Sequence, residues 1–99
     1  MSNLSAQLAE AVAWRGGEGY RAHKRRVKPL PDADLLAWLE GWLLDQGQEM
    51  YMAVLRGGDV TTHTVTWLPA HGADGGECAD TEQTARIKAA LEAEGRVPE

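Results

Sequence analysis

The sequence predicts an α+β fold: a small single domain in which three to four helices pack on a two-stranded antiparallel β-hairpin, in the order α-α-α-β-β-α. Three observations lead there. Apolar residues recur at helical spacing over 32–46 and, more thinly, near both ends of the chain. Between them lie two strand-like runs joined by a short glycine-containing loop. Finally, 99 residues with 43% hydrophobic and 25% charged content suit one soluble domain, 1–99, with a modest core.

The first helix is expected over 1–15. Leu4, Leu8, Ala11 and Val12 follow helical spacing, and Ser2 or Ser5 can cap it. Gly16, Gly17 and Gly19 then make helix costly, at about 1 kcal/mol each relative to alanine. A short basic helix is expected over 20–28. Arg21, Lys24, Arg25 and Lys28 fall at i, i+3, i+4 and i+7 and form one cationic face, with Tyr20, His23 and Val27 beside it. Pro29 stops it, because the residue before a proline avoids helical geometry.

The core helix spans 32–46, with Asp32 as N-cap, Asp34 near the positive end of the dipole and Gly47 as its stop. Its core face holds Leu35, Trp38, Leu39, Trp42 and Leu43; Leu36 widens that face and Leu44 lies almost opposite. So wide an apolar surface suits a helix sandwiched between layers, or one used in part at a protein interface, for which Leu36 and Leu44 are the candidates. Gly41 predicts close approach by another element.

Residues 49–68 read as a β-hairpin. Met50, Met52 and Val54 alternate with Tyr51, Ala53 and Leu55; His63, Val65 and Trp67 alternate with Thr62, Thr64 and Thr66. The glycine-rich run from Pro69 to Ala79 reads as loop. A last helix is expected over 80–95, with Asp80 and Gln83 in capping-box positions and Glu82–Arg86 and Lys88–Glu92 as i,i+4 pairs. Its stripe of Ile87, Ala90 and Leu91 is thin, which predicts docking at the edge of the core.

Composition narrows the function. A lone cysteine, Cys78, rules out an internal disulfide; with no basic-then-apolar leader and no apolar run of about 20 residues, the expectation is a cytoplasmic chain that neither spans nor coats a membrane. A metal or thiol chemistry would ask His63, His71, Cys78 and Asp74 to converge, and their spacing matches no compact zinc signature. The glycine-rich stretches lack phosphate-binding context. No cofactor, metal or catalytic residue is therefore expected, and a metal- or thiol-dependent enzyme ranks third among the readings.

Charge is where the sequence is unusual. Five of its ten Lys and Arg residues, Arg21, Lys24, Arg25, Arg26 and Lys28, fall within eight positions. Removing those five charges from a net −5 leaves −10 on the rest of the chain. A charge run of this kind is often a solvated face, here one that could pair with Asp74, Glu77 and Asp80. It can equally contact an anionic partner, with Tyr20 or His23 available for stacking.

The residues Gly19, Tyr20, Ala22, Pro29, Trp38, Gly41 and Trp42 form a Gly-Tyr-x-Ala start, a proline connector and a Trp-x-x-Gly-Trp helix. This quarter of the chain resembles the ribosome modulation factor family, and the resemblance implies ribosomal RNA contact by the basic segment. The spacing between the halves is shorter here, and "KPLP" replaces that family's Cys-Pro-Tyr or Asn-Pro-Tyr element. The expected function is thus a non-catalytic binding or regulatory protein whose partner is RNA, DNA or a ribonucleoprotein. The alternative is a protein-interaction module, such as a phage-type, anti-CRISPR-like inhibitor of a host machine, or a homodimer.

Overall fold

A computed structural model describes residues 4–26, 31–71 and 76–95, and for 16–26 the backbone alone. Helix α1 runs Leu4–Arg26 and α2 runs Asp32–Asp45. Strands β1 (Glu49–Gly57), β2 (Val60–Leu68) and β3 (Glu77–Ala79) follow, then helix α3 (Glu82–Glu94). The class is α+β as expected, but the order is α-α-β-β-β-α: one long helix replaces two, and a third strand joins the hairpin.

Helix α1 is anchored by Leu4, Leu8, Ala11 and Val12, all buried as their spacing predicts. It does not stop at Arg15; the backbone stays helical through the glycines to Arg26, so the basic residues continue the first helix rather than starting a new one. A glycine's cost of about 1 kcal/mol is smaller than what a packed neighbouring stretch supplies, and propensity yields to it. Ser5 lies inside the helix, not at its cap, and donates its hydroxyl hydrogen to Asp32 Oδ2 at 2.5 Å. Ser2 lies outside the described residues.

Helix α2 starts one residue earlier than the expected cap at Asp32 implies: Pro31 holds the N-cap position in extended geometry, and Asp32 is the first helical residue. Its end is a Schellman motif, in which Gly47 N–H donates to Leu44 O and Gln48 N–H donates to Leu43 O. The helix packs against both α1 and α3 on one side and leaves Ala37, Trp38, Leu44 and Asp45 exposed on the other, so it is not sandwiched between layers. Its buried stripe is rotated from the expected one. Leu35, Leu36, Leu39 and Leu43 are buried, whereas Trp38 is 37% exposed and Trp42 half-buried. Leu36, at 2% exposure, belongs to the core and is no interface residue; Leu44 is exposed. A Cβ at Gly41 would meet nothing within 4 Å, so no described element approaches there.

Helix α3 is the centre of the packing rather than its edge. It lies between the sheet and the α1–α2 pair, and Ala85, Ile87, Ala89, Ala90 and Leu91 are all buried. Its small residues explain why the stripe looked thin: alanines let neighbours approach on two sides. Thr81, not Asp80, is the N-cap, its hydroxyl accepting from Thr84 N–H at 3.2 Å. The predicted Glu82–Arg86 pair forms at 3.6 Å. Two partly buried ion pairs fasten the helices. Arg86 grips the buried Glu40 of α2 with two guanidinium nitrogens. Arg15 donates to Glu94 Oε2 at 2.8 Å and to the Glu94 carbonyl at 2.8 Å, while its guanidinium lies 4.6 Å from the Trp42 ring centroid.

In the sheet, β1 pairs with β2 without a break from Glu49↔Leu68 to Gly57↔Val60. Val65 and Trp67 are buried on the face toward α3, as the alternation predicts. Strand β3 was hidden in what reads as loop; three residues are too few to show alternation. It pairs His63↔Ala79, Thr64↔Cys78 and Val65↔Glu77. Its approach depends on Gly76 at φ +138°, where a Cβ would sit 2.5 Å from Thr66 Oγ1 and 2.9 Å from the Val65 carbonyl.

Candidate nucleic-acid interface

Because the backbone of α1 is helical to Arg26, positions 21, 24 and 25 share one face by helical period, and position 26 is the next residue round. The side chains of Tyr20, Arg21, His23, Lys24, Arg25 and Arg26 lie outside the described ones, and Lys28 lies outside the described residues altogether.

What surrounds the root of this segment is described, and it is aromatic. Trp14, one residue before the ion-paired Arg15, is 64% exposed. On α2, Ala37, Trp38, Gly41, Trp42 and Asp45 line an open notch of about 300 Å³. The absence of a side chain at Gly41, between the two indoles, is what opens it. Arg15 already lies across the Trp42 ring, so a planar cation on an indole face is realised here. Exposed Trp faces and guanidinium planes are the surfaces on which unstacked bases settle. Helical spacing places Trp38 and Trp42 on the core face, and the structure leaves both at its margin beside the exposed Trp14.

The acids proposed to neutralise the basic segment divide differently. Glu77 is committed elsewhere: its carboxyl is held above the usual carboxylate range by a hydrogen bond with Glu92, by burial and by the Glu92 charge, against the pull of Lys88 and His71. Asp80 is exposed, and Asp74 lies outside the described residues.

The histidines and the cysteine do not converge. His63 pairs with Ala79 and Cys78 with Thr64, so His63 and Cys78 are on opposite faces of the sheet. Cys78 Sγ lies 3.4 Å from Thr64 Oγ1. His71 is occupied at the end of β2, where its Nδ1 accepts from Trp67 N–H at 2.7 Å and Nε2 faces Glu92 Oε1 at 3.7 Å. Burial pushes the His71 imidazole below its ordinary value, and the nearby Glu77 charge works against that. Among the described residues no group of three His, Cys, Asp or Glu side chains is arranged to hold a metal. No described helix is long and apolar enough to cross a membrane.

Comparison with family models, with curated proteins and with solved structures finds no match for the chain.

Proposed function

We propose that this protein is a non-catalytic binding or regulatory protein that contacts an anionic partner, RNA in single-stranded or looped form, through the basic stretch of α1. The observation that carries the reading is the continuity of α1. Arg21, Lys24 and Arg25 ride in phase on a helix whose first half is bolted to the core. Neutralisation of phosphates by such a row supplies most of a non-specific affinity, and does so in a salt-dependent way. The exposed Trp14 and the Trp38–Trp42 notch at the base of the row offer stacking to unpaired bases, which favours single strands over duplex. Tyr20 and His23, within the row, would add to it. The −10 charge on the rest of the chain repels a polyanion everywhere else, so contact is confined to this one side. The resemblance of Gly19, Tyr20, Ala22, Trp38, Gly41 and Trp42 to the ribosome modulation factor family points the same way, toward ribosomal RNA.

The test is titration with a single-stranded RNA, the matching duplex and single-stranded DNA at two salt concentrations. The reading expects single strands to bind more tightly than duplex, with affinity falling steeply as salt rises. Binding that is absent, or indifferent to salt, would overturn it.

A further inference from the structure

The hairpin leaves an apolar strand uncovered. Helix α3 covers β2 but not β1, and Tyr51, Met52, Val54 and Leu55 are all at least half exposed, Leu55 at 64%. They alternate along β1, so Met52 and Val54 are exposed on the α3 side of the sheet and Tyr51 and Leu55 on the other.

The outer edge of β1 is also unpaired among the described residues, since the strand order is β1-β2-β3. The turn tells which backbone groups are open there. Gly58 has φ +60° and no other residue type takes positive φ, so Gly58–Asp59 is a type II′ turn. Gly57 and Val60 flank it as a hydrogen-bonded pair, and the ladder to β2 therefore uses the odd-numbered residues of β1. Residues 50, 52, 54 and 56 turn their N–H and C=O outward. Natural sheets protect such an edge with proline, a bulge or a mid-strand charge. β1 has an unbroken register and no proline, and its charges, Glu49 and Arg56, are at its ends.

The geometry points to a second copy of this chain as the partner, its β1 added antiparallel to this one across a two-fold axis at Ala53, so that two three-stranded sheets become one of six. A two-fold normal to the sheet keeps each face on its own side, which limits the register to pairs of equal parity. Centring on Ala53 sets Met52 opposite the partner's Val54 on one face and Tyr51 opposite the partner's Leu55 on the other. All four exposed side chains then gain an apolar neighbour. The same register keeps the two copies' Glu49 residues at opposite ends of the pair, each toward the other's Arg56 end. Centring on Met52 instead would set Glu49 against Leu55. With the strand's backbone edge, the four side chains cover on the order of 500 Å² per copy, so the pair reaches the ~1,000 Å² that a specific interface needs. This inference is independent of the anionic contact, which lies on α1.

Sedimentation velocity over a range of concentrations tests it on the full chain, alongside Val54→Lys, an exposed position whose charge would lie inside the paired edge. The wild type is expected to sediment as a dimer and Val54→Lys as a folded monomer with an unchanged circular dichroism spectrum. Ala53→Cys, in a Cys78→Ser background, tests the register. Residues facing each other across the axis in a non-hydrogen-bonded pair lie about 4.5 Å apart at Cα, close enough for an oxidised crosslink, whereas Leu55→Cys in the same background is not. Amide exchange adds a readout of the edge itself: the Met52 and Val54 N–H groups are expected to be protected in the wild type and to lose protection in Val54→Lys. A wild type that is monomeric at every concentration, or Leu55→Cys crosslinking as readily as Ala53→Cys, would overturn the proposal.

Discussion

Trp67 shows how much one residue decides. It is fully buried, yet its Nε1 has no hydrogen-bond partner among the described residues, an arrangement that costs about 1–3 kcal/mol of desolvation. Trp67→Phe removes that unpaired donor along with some packing, and is expected to cost under about 1 kcal/mol in denaturant unfolding, whereas Trp67→Ala costs about 3–5 kcal/mol. Equal losses for the two would show that the indole nitrogen is not a liability. Nearby, Glu77 gives a pH signature. Its folded carboxyl binds a proton more tightly than it does unfolded, so its contribution is present at low pH and is lost as pH rises through the folded value. Above that point Glu77 and Glu92 repel, softened by Lys88 and solvent. His71 works in the opposite sense: its stabilisation is present above about pH 6.5 and is lost as pH falls below that. Glu77→Gln keeps a hydrogen-bonding partner for Glu92 and removes the repulsion. It is expected to raise thermal stability near neutral pH by a fraction of a kcal/mol and to lose that advantage in acid. A gain that persists equally at both pH values would contradict the assignment.

The elements differ in how far the sequence reveals them. The hairpin and α2 were legible, because alternation and the Asp32-to-Gly47 frame are local signals. The join within α1 was not: three glycines in four positions outweigh any local propensity, and only the packing of Leu4, Leu8, Ala11 and Val12 carries the helix past them. Strand β3 was invisible for another reason, since a three-residue strand depends on a long-range approach that Gly76 permits. Gly76→Ala is expected to strain that backbone and push Thr66 aside, destabilising the protein by about 2–3 kcal/mol and exposing the Glu77–Ala79 amides to exchange first. Uniform loss of protection across the sheet would mean that β3 is not the part held by Gly76. Of the candidate site, the periodicity of Arg21, Lys24 and Arg25 could be read from spacing alone. The Trp38–Trp42 notch could not, because the 3.6-residue stripe places both indoles inward until α3 takes Leu36 and Glu40 instead.

At the scale of the molecule, α3 organises the fold by packing against the sheet and both other helices. The body measures 47 × 29 × 18 Å. The α1 backbone carries positions 21, 24 and 25 beyond the stretch anchored by Leu4, Leu8, Ala11 and Val12, and the outer edge of β1 is unpaired among the described residues. The salt dependence of RNA binding tests most directly whether the basic stretch of α1 contacts RNA. Wild type and a variant with Arg21, Lys24, Arg25 and Lys28 all replaced by Gln would be titrated with one single-stranded RNA across a series of salt concentrations. Each phosphate neutralised contributes about 0.7 to the slope of log affinity against log salt for a single strand, so the variant should bind weakly, with a slope shallower by about 2–3. Equal affinity and equal slope for the two proteins would contradict the account.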